Sequence, residues 1–383
     1  MDSDLRGRYA QAAEQLGHER PAVRLAGVYA LAALADDWQA VGNLDQQKVC
    51  VEVLCAYLRM SYEPGSKAAK PGEKEVRLTI IKSIVERLQD STSPTSWNNL
   101  PLDFTGAVFD GGVFDGARFT AGKISFDGAR FTAGKVSFDG ARFIGEDVSF
   151  ENAEFTGGKV SFDNAIFTTG TVSFNNTKFT SGEVSFDNAK FTSGTVTFNN
   201  TKFTGGIVTF FGAKFTRGTV SFDNAQFTSG TVSFDSAQFT GGTVSFDSAQ
   251  FTGGTVTFYA TKFMGGSVTF AVAKFTDGHV SFNSAEFTAG IVSFYATKFV
   301  GGSVTFYIAN FTGGEVSFKK AEFTGGHVSF RDISGASPGR LTFDKPEVWA
   351  APPIVPWRDG ETPPWVSPDA WPPVLAPATQ IEL

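Results

Sequence analysis

The sequence predicts a mainly β protein: a solenoid of stacked short repeats, preceded by an all-α domain and followed by a largely irregular tail. Three observations lead there. A twelve-residue unit, VSFDNAKFTSGT in one copy, recurs without a gap from Ile124 to about Gly339. Before it, apolar residues fall at three- and four-residue steps, the period of a helix face. After it the unit fails, and proline and tryptophan take over. The 383-residue chain therefore divides into a helical domain at 1–91, a linker at 92–101, the solenoid at 102–343 and the tail at 344–383.

In the first segment, Arg6–Leu16, Ala22–Ala35, Gln46–Met60 and Lys74–Leu88 carry the helical period. Gly17 and Pro21 bracket the first turn, and Asp45 is the expected N-cap of the third helix. Pro64, Gly65, Pro71 and Gly72 mark a loop before the fourth. The stretch AVRLAGVYALAALADD resembles one helix of a HEAT-type pair, with Val23, Leu25, Val28, Leu31 and Leu34 toward a neighbour. Such a domain is expected to cap a solenoid end, because an open end coil exposes apolar rings and unpaired strand edges. Partner binding is the other expected role. Cys50 and Cys55 are the only cysteines. On one helix they are separated by about 7.5 Å of rise and lie on different faces, so free, mostly buried thiols are expected.

A fixed short period means units that cannot bury their apolar face alone and must stack. Val136, Phe138 and Phe143 in one copy, and Val148, Phe150 and Phe155 in the next, are the near-constant apolar positions. Val and Phe two apart, with Ser or Thr between, give strand alternation. Ala141, Ala153 and Ala165 repeat that spacing before the second Phe, with Thr at Thr177, Thr201, Thr261 and Thr297. Gly145, Gly157 and Gly158 supply turns. A coil of one unit would be too narrow for two Phe rings, so two units per coil, about 24 residues on four sides, are expected. An internal likeness three units long (256–291 with 292–327) competes with one of two units (172–195 with 196–219), but duplication need not copy whole coils. Eighteen units then make about nine coils, on the order of 43 Å long. Stacked rings account for the 41 phenylalanines, each contributing about 1.5–3 kcal/mol when buried.

Each unit splits as five, five and two (VSFDG, ARFIG, ED), and Phe104, Phe109, Phe114 and Phe119 recur every five residues just upstream. In this the chain resembles the pentapeptide-repeat superfamily. The resemblance implies a right-handed quadrilateral β-helix, with Ala107 and Ala117 in the inward small position and Phe in the central one. The two-residue insertion in every second five departs from the family pattern. The strings YAQAAEQLGHERPAVRLAGVYALAALADDW and VCVEVLCAYLRM, followed by a Phe-rich array, are similar to actinobacterial pentapeptide-repeat proteins with an N-terminal helical domain. That likeness carries a fold and no biochemical activity.

The tail holds ten prolines, Pro346 to Pro377, and Trp349, Trp357, Trp365 and Trp371. Proline favours extended polyproline-II segments, whereas four indoles favour docking. The expected receiving surface is the end of the array, where Tyr259, Tyr295 and Tyr307 replace the usual Asp and Lys319, Lys320 and Arg331 follow. These Tyr and Trp residues form the candidate interaction or tail-docking patch. A ligand for an aromatic groove on another protein is the alternative for the tail.

Catalysis needs unlike groups converging in a pocket, and here each unit turns the same side chains outward. Of three histidines, His279 and His327 share a unit position but lie four units apart, two coils, too far for one metal. No catalytic, cofactor or metal residues are expected, and no cofactor. No apolar run approaches the roughly 18 residues of a spanning helix. The N-terminus, MDSDLRGRYAQ, is polar. Neither a spanning helix nor a secretory signal is therefore expected, and a cytoplasmic location is the default.

The expected function is a non-enzymatic protein-interaction scaffold. Two alternatives stand beside it. Some pentapeptide-repeat proteins copy the charge and shape of DNA and bind DNA gyrase. Yet Asp103–Arg331 holds 19 acidic and 17 basic residues, a net of −2, against one negative charge per about 1.7 Å of duplex. Direct DNA binding is not expected either. The other alternative is an ice-binding face, from hydroxyl ladders at Ser137, Ser149, Thr197, Thr209 and Thr305 and at Thr156, Thr168 and Thr180. The chain carries no signature of the partner's identity or of the oligomeric state.

Overall fold

The computed structural model describes residues 2–66, 69–120, 123–145, 147–335, 339–358, 361–368 and 371–375. It falls into two compact units, Met1–Ser173 and Phe174–Leu383.

The first unit opens with α1 (Asp2–Gly17), α2 (Pro21–Ala40), α3 (Leu44–Arg59) and α4 (Glu73–Glu86). Pro21 starts α2, where its missing N–H is no loss. The cap of α3 is Asn43, whose side chain accepts from the Gln46 amide at 3.2 Å; Asp45 lies inside the first turn, so the expected cap is corrected by two residues. Val28, Leu31, Leu34, Trp38, Leu54, Ile80 and Ile84 form the helical core. α2 runs past the expected Ala35 because its last turn still packs into that core: Trp38 is buried and Asp36 binds Arg87 at 2.6 Å and the Trp97 indole N–H at 3.1 Å. Trp97 lies under the Arg87 guanidinium, which anchors the linker. Breaking this part-buried network with Asp36→Ala should cost about 3 kcal/mol, read as a shifted denaturant midpoint. Asp36→Ala at full stability would contradict the role given to the pair.

Cys50 and Cys55 are free and buried. Burial pushes the thiol of Cys50 up to about 11 and that of Cys55 up to about 12, from an ordinary value near 9. The folded state therefore holds protons that the unfolded state releases near pH 9, and stability is expected to fall as pH rises from about 9 toward the folded values. Both thiols should resist alkylation at pH 8 until the domain unfolds. Reaction in the native state would contradict this.

The helices pack on the first coil. Ile81 of α4 occupies the place a valine side chain would take: Gly112 pairs in register with Val136, and a Cβ on Gly112 would come within 3.1 Å of Ile81 Cδ1. Tyr62 donates to Asp110 at 3.0 Å, and Arg59 pairs with Asp103 at 3.0 Å.

The chain is a right-handed parallel β-solenoid with about 24 residues per coil. In the first unit Val136 pairs with Val160 and Phe143 with Phe167; in the second, Val184 pairs with Val208 and Phe191 with Phe215. The rings agree. Phe138 stacks on Phe162 at 4.8 Å and 5°, whereas it meets Phe150 edge-on at 6.2 Å and 84°. Each interior thus holds ladders of offset-stacked rings joined by edge-to-face contacts, both favoured by the ring quadrupole. Where Thr replaces the inward Ala, its buried hydroxyl finds a carbonyl: Thr201, Thr261 and Thr297 donate to Phe174, Phe234 and Phe270 at 2.7–2.8 Å.

Two kinds of corner close the coil. At one, the amide two residues after the Asp position returns to the Phe carbonyl, as from Ala189 to Phe186 at 3.1 Å, and the residue between is left-handed, as Asn188 at φ 57°. Gly and Asn suit it. At the other, enlarged by two residues, coils approach closely: a Cβ on Gly313 would collide with the Thr288 carbonyl oxygen.

The tail, expected to be irregular, carries strand pairing forward in the second unit. Val348–Trp349 pairs with Glu322–Phe323, Ile354 bridges Ser329, and Val366–Ser367 pairs with Leu341–Thr342. Residues 376–383, with Pro377, lie outside the described residues.

Candidate functional site

The outward face is built from the same units. Alternation predicts exposed hydroxyls at the middle strand position, and here the structure differs. In the first unit Ser137 donates to Asp115 and Ser161 to Asp139, each one coil back. In the second unit Thr209, Thr257 and Thr269 donate to Asp187, Asp235 and Asp247 at 2.7–2.8 Å. The Asp side chain folds over the hydroxyl and also takes an amide of the next coil, as Asp247 does from Ala271 at 2.8 Å. Burial alone would raise the Asp139 carboxyl, but hydrogen bonds from Ser161 and Ser137 and the Lys135 charge carry it below the ordinary value. The second ladder is also satisfied internally: Thr204, Thr228 and Thr288 donate to Phe179, Phe203 and Phe263 carbonyls at 3.2–3.3 Å. These donors turn to the neighbouring coil, whereas the Thr305 hydroxyl is buried without a partner.

Charges pair both within a coil, as Lys135 with Asp139 at 3.4 Å in the first unit, and along the stack in the second. Lys262 meets Glu286 at 3.4 Å and Lys298 meets Glu322 at 2.7 Å, each one coil on. His279 and His327 sit two coils apart, both in register with Ser303 between them. His279 contacts the Ser303 hydroxyl at 2.6 Å, and burial lowers its pKa. Among the described residues no three His, Cys, Asp or Glu side chains gather as a metal site, and no helix is long and apolar enough to cross a membrane.

The three tyrosines do not gather in one patch. Amide-to-carbonyl bonds from Ser236 to Tyr259, Ala260 to Asn283, Ser284 to Tyr307 and Ile308 to Arg331, 2.8–3.4 Å, string Asp235, Tyr259, Asn283, Tyr307 and Arg331 along one edge. Tyr295 follows a strand of the other sheet and lies on a second edge with Asp247, Ala271 and Lys319, where Lys320 Nζ sits 5.8 Å from its ring centre. Tyr259, Tyr295 and Tyr307 remain 53%, 40% and 47% exposed.

The tail tryptophans meet the Phe ladders instead. Trp349 continues the register of Phe323 and meets its ring edge-on at 5.0 Å. Phe311 pairs in register with Gly335, so its ladder lacks a ring there, and Trp365 lies over Phe311 at 6.0 Å and 14°. Trp371 closes on Phe343 at 5.2 Å and on Trp349 at 5.5 Å, and Trp357 meets Trp371 at 5.6 Å and Trp365 at 6.2 Å.

Sequence reasoning missed one feature of the helical domain. Leu16, Val53, Ala56, Met60, Tyr57 and Glu73 line a groove of about 620 Å³ between α1, α3 and the start of α4. Met60 at the end of α3 is its one signal, an exposed apolar side chain where the helical period ends.

A family model described as pentapeptide repeats (9 copies) matches residues 122–166. No curated protein and no solved structure matches the chain. The matched stretch is continuous in period with the units on both sides, and those units stack as four-sided parallel coils with Phe inward; on these grounds the chain belongs to the pentapeptide-repeat superfamily.

Proposed function

We propose that the protein is a non-enzymatic scaffold for protein interaction. Pentapeptide-repeat solenoids are generally structural or interaction proteins, which supports the reading. The observation that carries it is a contrast on the surface. At the Asp corners strand hydroxyls such as those of Thr209, Thr257 and Thr269 are bonded to the neighbouring coil, which stiffens the frame. Against that frame stand exposed apolar side chains, among them Phe211, Tyr295 on its edge and Met60 in the helical groove. Exposed aromatic and Met side chains are enriched at interfaces. In this reading the helical domain covers the first coil and also offers the groove.

Affinity capture from the native cell with the full chain tests this, against Met60→Glu and Tyr295→Ala variants of unchanged melting temperature. A specific partner lost with one variant is the expected result. Identical recovery by all three would count against the scaffold reading. Stoichiometric inhibition of gyrase supercoiling by the pure protein would replace it with DNA mimicry.

A further inference from the structure

The edge that carries Tyr259 and Tyr307 has an order of its own. Over five successive coils it presents Asp235, Tyr259, Asn283, Tyr307 and Arg331. Charge is inverted and the aromatic residues are repeated about the midpoint, Asn283. We infer that this edge is a two-fold interface between two antiparallel copies of this chain.

An axis perpendicular to the solenoid, at the level of Asn283, brings Tyr259 against the partner's Tyr307 and Asp235 against the partner's Arg331. Such an isologous contact uses each pair twice. With coils about 4.8 Å apart the strip spans roughly 19 Å. A parallel arrangement would set Asp235 on its own copy and Arg331 on its own copy, two like-charge contacts, so the charges select the antiparallel one. Asp235 uses Oδ1 for Thr257 and the Tyr259 amide, at 2.8 and 3.0 Å, which fixes the carboxylate in place. Glu286, beside the axis, is already neutralised by Lys262 at 3.4 Å. A heterologous partner would need no such symmetry.

The backbone supplies an independent observation. The left-handed corner position is Gly212, Ser236, Ala260 and Ser284 elsewhere on this edge, but Ile308 beside Tyr307, at φ 57° and 52% exposed; on the other edge Val272 is its counterpart. A β-branched residue is strained there and gains nothing from burial within its own chain. Across the axis it meets Ala260 of the partner subunit, where its apolar surface is covered.

Sedimentation velocity of the full chain across a concentration range tests the inference. A monomer–dimer equilibrium that weakens with salt is expected. Tyr307→Ala and Arg331→Asp should each weaken it about tenfold or more with melting of the monomer unchanged. Ile308→Asn should raise the melting temperature while weakening association, an opposition that a purely structural role would not produce. Mixing Arg331→Asp with Asp235→Arg should give dimers tighter than either variant forms alone. If Asp235→Arg does not fold, the other three variants still decide. A wild type that is monomeric at every concentration overturns the inference and gives the strip to a different protein. A dimer indifferent to Tyr307→Ala and Arg331→Asp also overturns it. Neither result bears on whether the Met60 groove or Tyr295 captures a partner, so this inference and the scaffold reading fail separately.

Discussion

Phe222→Ala is expected to destabilise the second unit by about 3–5 kcal/mol, the largest effect of any single substitution considered. Phe222 is fully buried, stacks on Phe198 at 4.7 Å and on Phe246 at 4.8 Å, and meets Phe210 and Phe234 edge-on at 6.3 and 6.0 Å. Truncation removes these contacts, and the tilted ones to Phe203 and Phe227 at 6.1 and 6.3 Å, all at once, and the cavity cannot close, because backbone hydrogen bonds fix the spacing of the coils above and below. In a solenoid each coil is stabilised mainly by its neighbours, so the damage is expected to spread as a broadened or split denaturant transition. Phe222→Leu should cost markedly less. Equal, small losses for Ala and Leu would mean that the ladder is not the source of stability.

The second large effect concerns the tail. Trp349→Ala together with Trp365→Ala should destabilise the last coils by about 4 kcal/mol and sharply raise binding of an apolar dye. Trp349 extends the ladder that includes Phe323, and Trp365 covers Phe311 where Gly335 offers no ring. Without them the final coil presents open Phe faces and a bare strand edge. Unchanged melting and unchanged dye binding would show that the tail contributes little to that end.

Much of this was legible in the sequence because the repeat is regular. Two Phe per unit cannot share a coil of one unit, so volume alone led to two units per coil, the register that Val136 and Val160 adopt. The helices were legible from their period; the cap of α3 was not, since Asn43 and Asp45 are equally eligible by residue type. Alternation marked Ser137 and Thr209 as outward, and only the fold reveals that an Asp 22 residues earlier closes over each. The tail's strand pairs are two residues long and separated by prolines, too short to leave a period. Trp365 filling the place opposite Phe311 is a contact between distant parts of the chain, with no local trace. The separation of Tyr259 from Tyr295 could have been read: they are three units apart, one and a half coils, which puts them on different edges.

The coil itself is what every other inference stands on. Lys190, Lys214, Gln238, Lys262 and Glu286 are consecutive register partners, so Lys190 and Glu286 lie four coils apart on one sheet. Both are exposed. Spin labels at these two positions, measured by pulsed electron resonance in the full chain, should report attachment points about 19 Å apart. A separation of about 38 Å, the value for coils of half this length, would contradict the coil of two units.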